Sequence, residues 1–214
     1  MFIIDFDDTL FDTHGFKQAR LKAVEKIGIS NALFWTTYKQ ARVNSDGVFT
    51  YSDKRHAEIL ASEGFKEEEI FTVLNKVTLN MKDFLAHDAE EFLQSLSLLK
   101  QPLILLSLGD SEFQELKVKS CGIAKYFERI FFVDKTKENV LEELFGATTD
   151  KENWLINDKV DESQQLQIHF PNLKVILKIS NSFPLNIYKH SGLPNYRTLS
   201  EIKNYLENYY DKRI

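Results

Sequence analysis

The sequence predicts an α/β fold: a parallel sheet covered by helices on both faces, interrupted by one all-helical unit. Three observations carry this. Short β-prone apolar runs ending in polar residues recur at "MFIIDF", "PLILLS", "RIFFVD", "NWLIND" and "LKVILKI". Helix-spaced segments separate the later runs, as crossover connections between parallel strands require. Between the first run and the second lie about 80 residues of helical spacing, too long for a structureless loop.

The opening run ends in "IIDFDDTLFDT", which sets Asp5, Asp7, Asp8 and Asp12 directly after a buried-strand pattern. Crowded carboxylates repel, so something bound there has to offset the cost. From His14 onward Phe16, Ala19, Leu21, Val24 and Ile27 suit a helix closed by Gly28. Ser30 and Ser52 stand where N-caps of the next two helices belong. "EEEIFTVLNKVTLNMKDFL" follows with acids in its first turn. Asp88 with Glu91 reads as a capping-box variant ahead of "FLQSLSLL". Beyond "PLILLS", "EFQELKVKSCG" is a helix ended by Gly122, and "KENVLEELFG" is the helix after "RIFFVD". "NSFPLNIYKHSGLPNY", with two of the four prolines, reads as an irregular surface segment. Thr198 and Glu201 form a capping box for a last helix. The domains expected are a core of residues 1–13 and 100–214 and a helical subdomain of 14–99.

Composition narrows the function. Hydrophobic residues make up 43% and charged residues 28%, as in ordinary globular proteins. A net charge of −5 with no basic stretch argues against nucleic acid. The single cysteine excludes an internal disulfide framework and fits a reducing compartment. No run approaches the roughly 20 apolar residues of a membrane span, and the apolar start is too short for a leader. The expectation is a cytoplasmic protein, monomeric or a weak homo-oligomer, with no membrane partner.

In an open parallel sheet ligands bind beyond the carboxyl ends of the strands. The run ends collect Asp5 and Asp7, Ser107, Asp134 and Lys135, and Asp158, with Asp161 and Glu162 one turn on. Converging carboxylates form a hard-oxygen site suited to Mg²⁺, while a hydroxyl and a lysine suit an anion. That combination fits phosphoryl transfer. The five histidines show no metal-binding spacing, and "YSDKRHAE" reads as a solvated helix face.

These residues resemble the haloacid dehalogenase (HAD) superfamily over nearly the whole chain. "DFDDT" is similar to its first motif, DxDx(T/V), and "LILLSLGD" to the second, a strand ending in Ser or Thr. "FVDKTKENVLEEL" resembles the third, a lysine at a helix start, and "WLINDKVDE" the fourth. The block from "SLGDSEFQELKVKSCG" to "FVDKTKE" looks like phosphatase-type members with a helical cap inserted after motif one. The resemblance implies a three-layer Rossmann-like core and a Mg²⁺-dependent phosphatase acting on a small phosphorylated metabolite. It implies Asp5 as nucleophile and Asp7 as acid and base, its side chain swinging free. Asp5, the Asp7 carbonyl and Asp158 would hold Mg²⁺. Ser107 and Lys135 would bind the phosphoryl oxygens, with Lys135 favoured over Lys137 from the Lys-Thr-x-Glu spacing. Thr9 would brace the loop, and Glu162 or Asp161 would orient the lysine or a water on the metal. Carbon–halogen hydrolases of the superfamily lack the second aspartate of motif one, and Asp7 is present here. Asn157 stands where Gly commonly precedes the motif-four aspartate, which implies either local crowding or an altered metal affinity.

Overall fold

A computed structural model describes residues 1–44, 46–146 and 152–212. Six parallel strands form one sheet in the order β3-β2-β1-β4-β5-β6. They are β1 (Phe2–Ile4), β2 (Leu103–Leu108), β3 (Arg129–Val133), β4 (Asn153–Asn157), β5 (Leu173–Lys178) and β6 (Asn195–Tyr196). This is the doubly wound, Rossmann-like order, in which the strand sequence reverses beside β1. Strand alternation divides the interior. Phe2 and Ile4 face a cluster shared with Val118, Ile202 and Leu206, while Ile3 faces the opposite one with Leu141, Val160 and Leu166. Helices on both faces complete three layers.

The later helices follow the sequence signals closely. They are α6 (Ser111–Cys121), α7 (Glu138–Gly146), α8 (Val160–His169), α9 (Leu185–His190) and α10 (Leu199–Asp211). Gly122 closes α6 at φ 72°, a left-handed turn that glycine takes without strain. Thr198 and Glu201 form the full capping box on α10. The segment expected to be irregular instead holds α9 and β6. Tyr188 makes α9 worthwhile: it is fully buried, and its hydroxyl donates to the Asp158 carbonyl at 2.8 Å.

Between β1 and β2 come α1 (Thr13–Glu25), α2 (Asn31–Arg42), α3 (Asp53–Ser62), α4 (Glu67–Thr78) and α5 (Ala89–Leu98). Ser30 and Ser52 cap α2 and α3 as the sequence indicates. The first four helices close around their own core of Leu21, Val24, Phe34, Leu60, Ile70 and Leu74. The fifth, expected with them, packs on the sheet. Ala89, Phe92, Leu93 and Leu96 join the β1 cluster beside α10, because α5 is the crossover leading into β2. Asp88 does not cap α5 either. Its carboxylate accepts from the Ser200 amide at 2.9 Å and the Ser200 hydroxyl at 3.0 Å, pinning α5 to the start of α10. The independent helical unit therefore ends near α4, short of residue 99. Residues 213 and 214, at the expected end of the core, lie outside the described residues.

Within the helical unit Arg20 is fully buried and its charge is closed in. It donates to Asp53 Oδ1 at 2.5 Å, to Thr78 at 2.9 Å and to the Tyr51 hydroxyl. Thr78 in turn donates to Asp53 Oδ2 at 2.6 Å. Tyr51 also packs edge-on against Phe113 of α6, 4.9 Å between centroids, which joins the helical unit to the sheet. His56 is buried between the Thr37 and Tyr51 hydroxyls. So "YSDKRHAE" is half interior, contrary to the solvated face expected. Among the described residues no helix is long and apolar enough to cross a membrane.

Candidate active site

β1 is the central strand, paired with β2 on one side and β4 on the other. Its carboxyl end is thus a position where residues from three neighbouring strands converge, beside the point at which the strand order reverses. The Asp5 amide donates to the Ile156 carbonyl at 2.9 Å, which fixes the backbone just past β1. Asp8 then takes φ 59°, a left-handed conformation that aspartate tolerates in turns. Its amide donates to the Phe11 carbonyl at 2.7 Å, and its carboxylate accepts from Ser182 at 2.7 Å. Asp12 caps α1 through the Gly15 amide at 2.8 Å. A Cβ at Gly15 would sit 2.3 Å from the Asp12 carboxylate, so any larger residue there would push that cap aside. Asp8 and Asp12 shape the loop, leaving Asp5 and Asp7 to face the crevice.

Asp5 is buried, and Lys137 donates to its Oδ1 at 2.7 Å. Thr9 donates to the other oxygen at 3.3 Å, so Thr9 braces the carboxylate itself. Lys137 also donates to Glu162 at 2.8 Å and reaches the Asn157 side-chain oxygen at 3.5 Å. This corrects the expectation for Lys135, which is exposed on the turn after β3. The side chain that enters the site belongs to the residue immediately before α7. There the Lys137 carbonyl accepts the first helical bond from Leu141, and its ammonium is swept under the sheet edge. Of the two acids expected to orient the lysine, Glu162 does so and Asp161 is exposed.

Asn157 causes no crowding. Its side-chain amide donates to Glu162 at 2.8 Å and to Ser163 at 3.0 Å, and its oxygen accepts the Asp158 amide at 3.0 Å. A fully buried asparagine thus ties Lys137's partner to the turn carrying Asp158. Asp158 is buried, and its Oδ1 has no hydrogen-bond partner among the described residues.

Asp7 is not free to swing. Thr13 donates to its Oδ1 at 2.5 Å, Lys117 forms a short ion pair with the same oxygen, and Gln114 donates to Oδ2 at 2.6 Å. Gln114 also reaches Ser107 at 3.1 Å and the Leu108 carbonyl at 3.0 Å, so one amide joins Asp7 to the hydroxyl at the end of β2. Lys117 lies over the rings of Phe6 and Phe11 at 5.0 and 4.8 Å. Gln114 and Lys117 were not anticipated. Their signal was nonetheless present: with Val118 and Cys121 they form an i, i+3, i+4, i+7 stripe, two polar residues on the buried face of α6.

The electrostatics divide in two. Burial raises the Asp5 pKa, with Lys137 opposing and Glu162 adding to the rise. Burial, then Asp5 and Asp8, push Asp158 up to about 8. At Asp7 burial acts upward too, but Lys117, Thr13 and Gln114 outweigh it and hold the carboxyl at about 2. Lys137 is raised despite burial by Asp5 and Glu162. One side of the crevice therefore carries an excess of carboxylate, and the other is neutralised by Lys117.

Among the described residues no three His, Cys, Asp or Glu side chains converge as a ready-made metal cluster. The set expected to hold Mg²⁺, Asp5, Asp7 and Asp158, offers two acidic side chains, since that of Asp7 is turned toward Lys117. Even so, the donors fit a hard cation. All are oxygens, Asp158 has a buried oxygen unpartnered, and burial followed by the Asp5 carboxylate raises the pKa of Asp158.

Comparison with known proteins agrees with this geometry. The family model of haloacid dehalogenase-like hydrolases matches residues 1–153, spanning the Asp5 loop, Ser107 and Lys137. The chain belongs to the haloacid dehalogenase-like hydrolases. A structure described as such a hydrolase from Burkholderia xenovorans is 16% identical, covering 95% of this chain and 94% of its own, with a TM-score of 0.73. A HAD-type hydrolase from Bacillus subtilis, bound to magnesium, is 17% identical over 96% and 97%, at 0.59. An L-2-haloacid dehalogenase from Xanthobacter autotrophicus, with chloropropionic acid covalently bound, is 16% identical over 96% and 97%, at 0.61. At these identities the likeness is one of fold. No curated protein matches the chain.

Proposed function

We propose that this HAD-like hydrolase is a Mg²⁺-dependent phosphatase that hydrolyses a small phosphomonoester through an aspartyl phosphate on Asp5. The observation that carries the reading is the pair of aspartates at the end of β1 held in different ways. Asp5 meets Lys137 and the carboxylate-rich side, while Asp7 meets Gln114 and Lys117 toward the cavity under the helical unit. A carbon–halogen hydrolase has no evident use for the second.

In this mechanism an Asp5 oxygen attacks phosphorus, the phosphorus–oxygen bond to the leaving group breaks, and the leaving oxygen takes a proton from Asp7. A water then attacks the phosphoenzyme, Asp7 accepts its proton, and the Asp5 carboxylate is released with phosphate. Ser107 and Lys137 hold the phosphoryl oxygens, the ammonium balancing charge that grows in the transition state. Asp5, Asp158 and the Asp7 carbonyl would hold Mg²⁺, whose positive charge would let two carboxylates and a phosphoryl group share one site. Because Lys117 keeps Asp7 ionised, Asp7 has to part from Lys117 and take up a proton from water before it passes one to the leaving group. The helical unit acts as a cap that shuts out bulk water.

The test is hydrolysis of p-nitrophenyl phosphate with Mg²⁺, with EDTA, and by Asp5→Asn. Turnover that requires the metal and is lost in Asp5→Asn is the expected result. Metal-independent turnover, or full activity in Asp5→Asn, overturns the mechanism.

A further inference from the structure

Two cations on the helical unit face the same cavity, and phosphoryl transfer makes no use of them. Lys17 stands on the second turn of α1, and Arg42 is the last residue of α2. Both line a cavity of about 250 Å³ together with Asp7, Asp8, Lys117 and Lys159. The other cations of the helical unit and α6 that reach this cavity are paired: Lys117 with Asp7, Arg20 with Asp53. Among the described residues no carboxylate lies within ion-pairing distance of Lys17 or Arg42. Their neighbours are aromatic faces instead. The Arg42 guanidinium lies 5.0 Å from the Phe49 ring centre and the Lys17 ammonium 5.7 Å from that of Tyr38. Such contacts orient a cation without neutralising it.

The two charges also work against each other. Burial, and then Arg42, lower the Lys17 pKa, with Asp7 and Asp8 pulling the other way. Arg42 is exposed and Lys17 half-buried, so water screens part of this repulsion, and an anion between the two would relieve the rest. The crowded aspartates of β1 pose the same problem with the sign reversed. A cavity of this size, near the lower end of the roughly 300–1,000 Å³ of drug-sized sites, suits a small molecule.

We infer that Lys17 and Arg42 bind a second anionic group, carboxylate or phosphate, at the far end of the substrate whose phosphoryl group meets Asp5. The inference rests on the phosphatase reading and narrows its substrate class to small phosphomonoesters bearing a second anion. The reaction that supplies them leaves that anion in place, and the product keeps it.

Two matched pairs of substrates test this. 3-Phosphoglycerate and glycerol 3-phosphate differ by a carboxylate in place of a hydroxymethyl group; 1,3-propanediol bisphosphate and its monophosphate differ by one phosphate. The readout is the kcat/KM ratio within each pair. We expect a ratio of about tenfold or more in one pair, equivalent to a charge-assisted contact, and the pair that shows it identifies the anion. Lys17→Gln and Arg42→Gln each bring that ratio toward one, and Arg42→Lys restores part of it. Ratios near one in both pairs for the wild type, or ratios unmoved in both variants, overturn the inference. Calorimetric titration of the same pairs into Asp5→Asn, or into wild type with EDTA if that variant does not fold, separates the two readings. Preference within a pair without turnover by the wild type keeps the anion subsite and rejects the phosphatase. Hydrolysis of p-nitrophenyl phosphate with no preference in either pair does the reverse.

Discussion

Two buried clusters of charge in this molecule are built from similar parts and finished differently. In the helical unit, Arg20 meets Asp53, Thr78 and Tyr51, and the two oxygens of Asp53 each receive a donor. At the sheet edge Lys137 alone enters among Asp5 and Glu162, while Asp158 beside them keeps an oxygen with no partner among the described residues. The first cluster pairs its opposite charges inside the chain and joins three helices, although the Arg20 Nε–H has no hydrogen-bond partner among the described residues. The second has more carboxylate than the chain neutralises, and burial together with neighbouring carboxylates raises the pKa of Asp5 and Asp158. A closed network is a structural joint; an open one is complete only with something bound.

The comparison breaks most sharply at Asp53. Asp53→Ala leaves the Arg20 charge buried and unpaired, and urea unfolding should show a loss of about 3–5 kcal/mol. A loss below 1 kcal/mol would mean that Tyr51 and Thr78 satisfy Arg20 without it. At the open cluster the larger effect falls on turnover. Lys137→Met should lower kcat by about 10²–10³-fold, while Lys135→Met, on the exposed turn, stays within about twofold of wild type. Equal losses in both would return Lys135 to the site.

A further effect, spread over several pH units, belongs to the helical unit alone. Burial and then Arg20 depress the His56 pKa to about 3, well below the usual 6.5. The unfolded chain takes up this proton as pH falls below 6.5, and the folded chain resists until about 3. Stability linked to His56 is therefore whole above pH 6.5 and drains as pH falls toward 3, by up to about 1.4 kcal/mol per unit. Thermal unfolding between pH 6.5 and 4 should fall less steeply in His56→Gln than in wild type. Parallel curves would place the acid sensitivity elsewhere.

Local chemistry made much of this legible before any coordinates. Apolar runs ending in acids, Ser30 and Ser52 as caps, Gly122 as a stop and the Thr198–Glu201 box are short-range features, and each occurs where the chain indicates. Asp5, Ser107 and Asp158 could be located because a parallel sheet delivers its strand ends to one edge. Other points were decided by contacts far apart in the chain. Lys135 and Lys137 share one turn, and only packing against Asp5 and Glu162 selects Lys137. Asp88 resembles a cap until Ser200, 112 residues away, takes its carboxylate. The spacing of Gln114 and Lys117 puts them on the buried face of α6, but only the folded chain shows that their partner is Asp7, more than 100 residues away. Whether a buried charge is closed or left open depends on which partners the folded chain brings within reach, and spacing along one strand or helix carries no record of that.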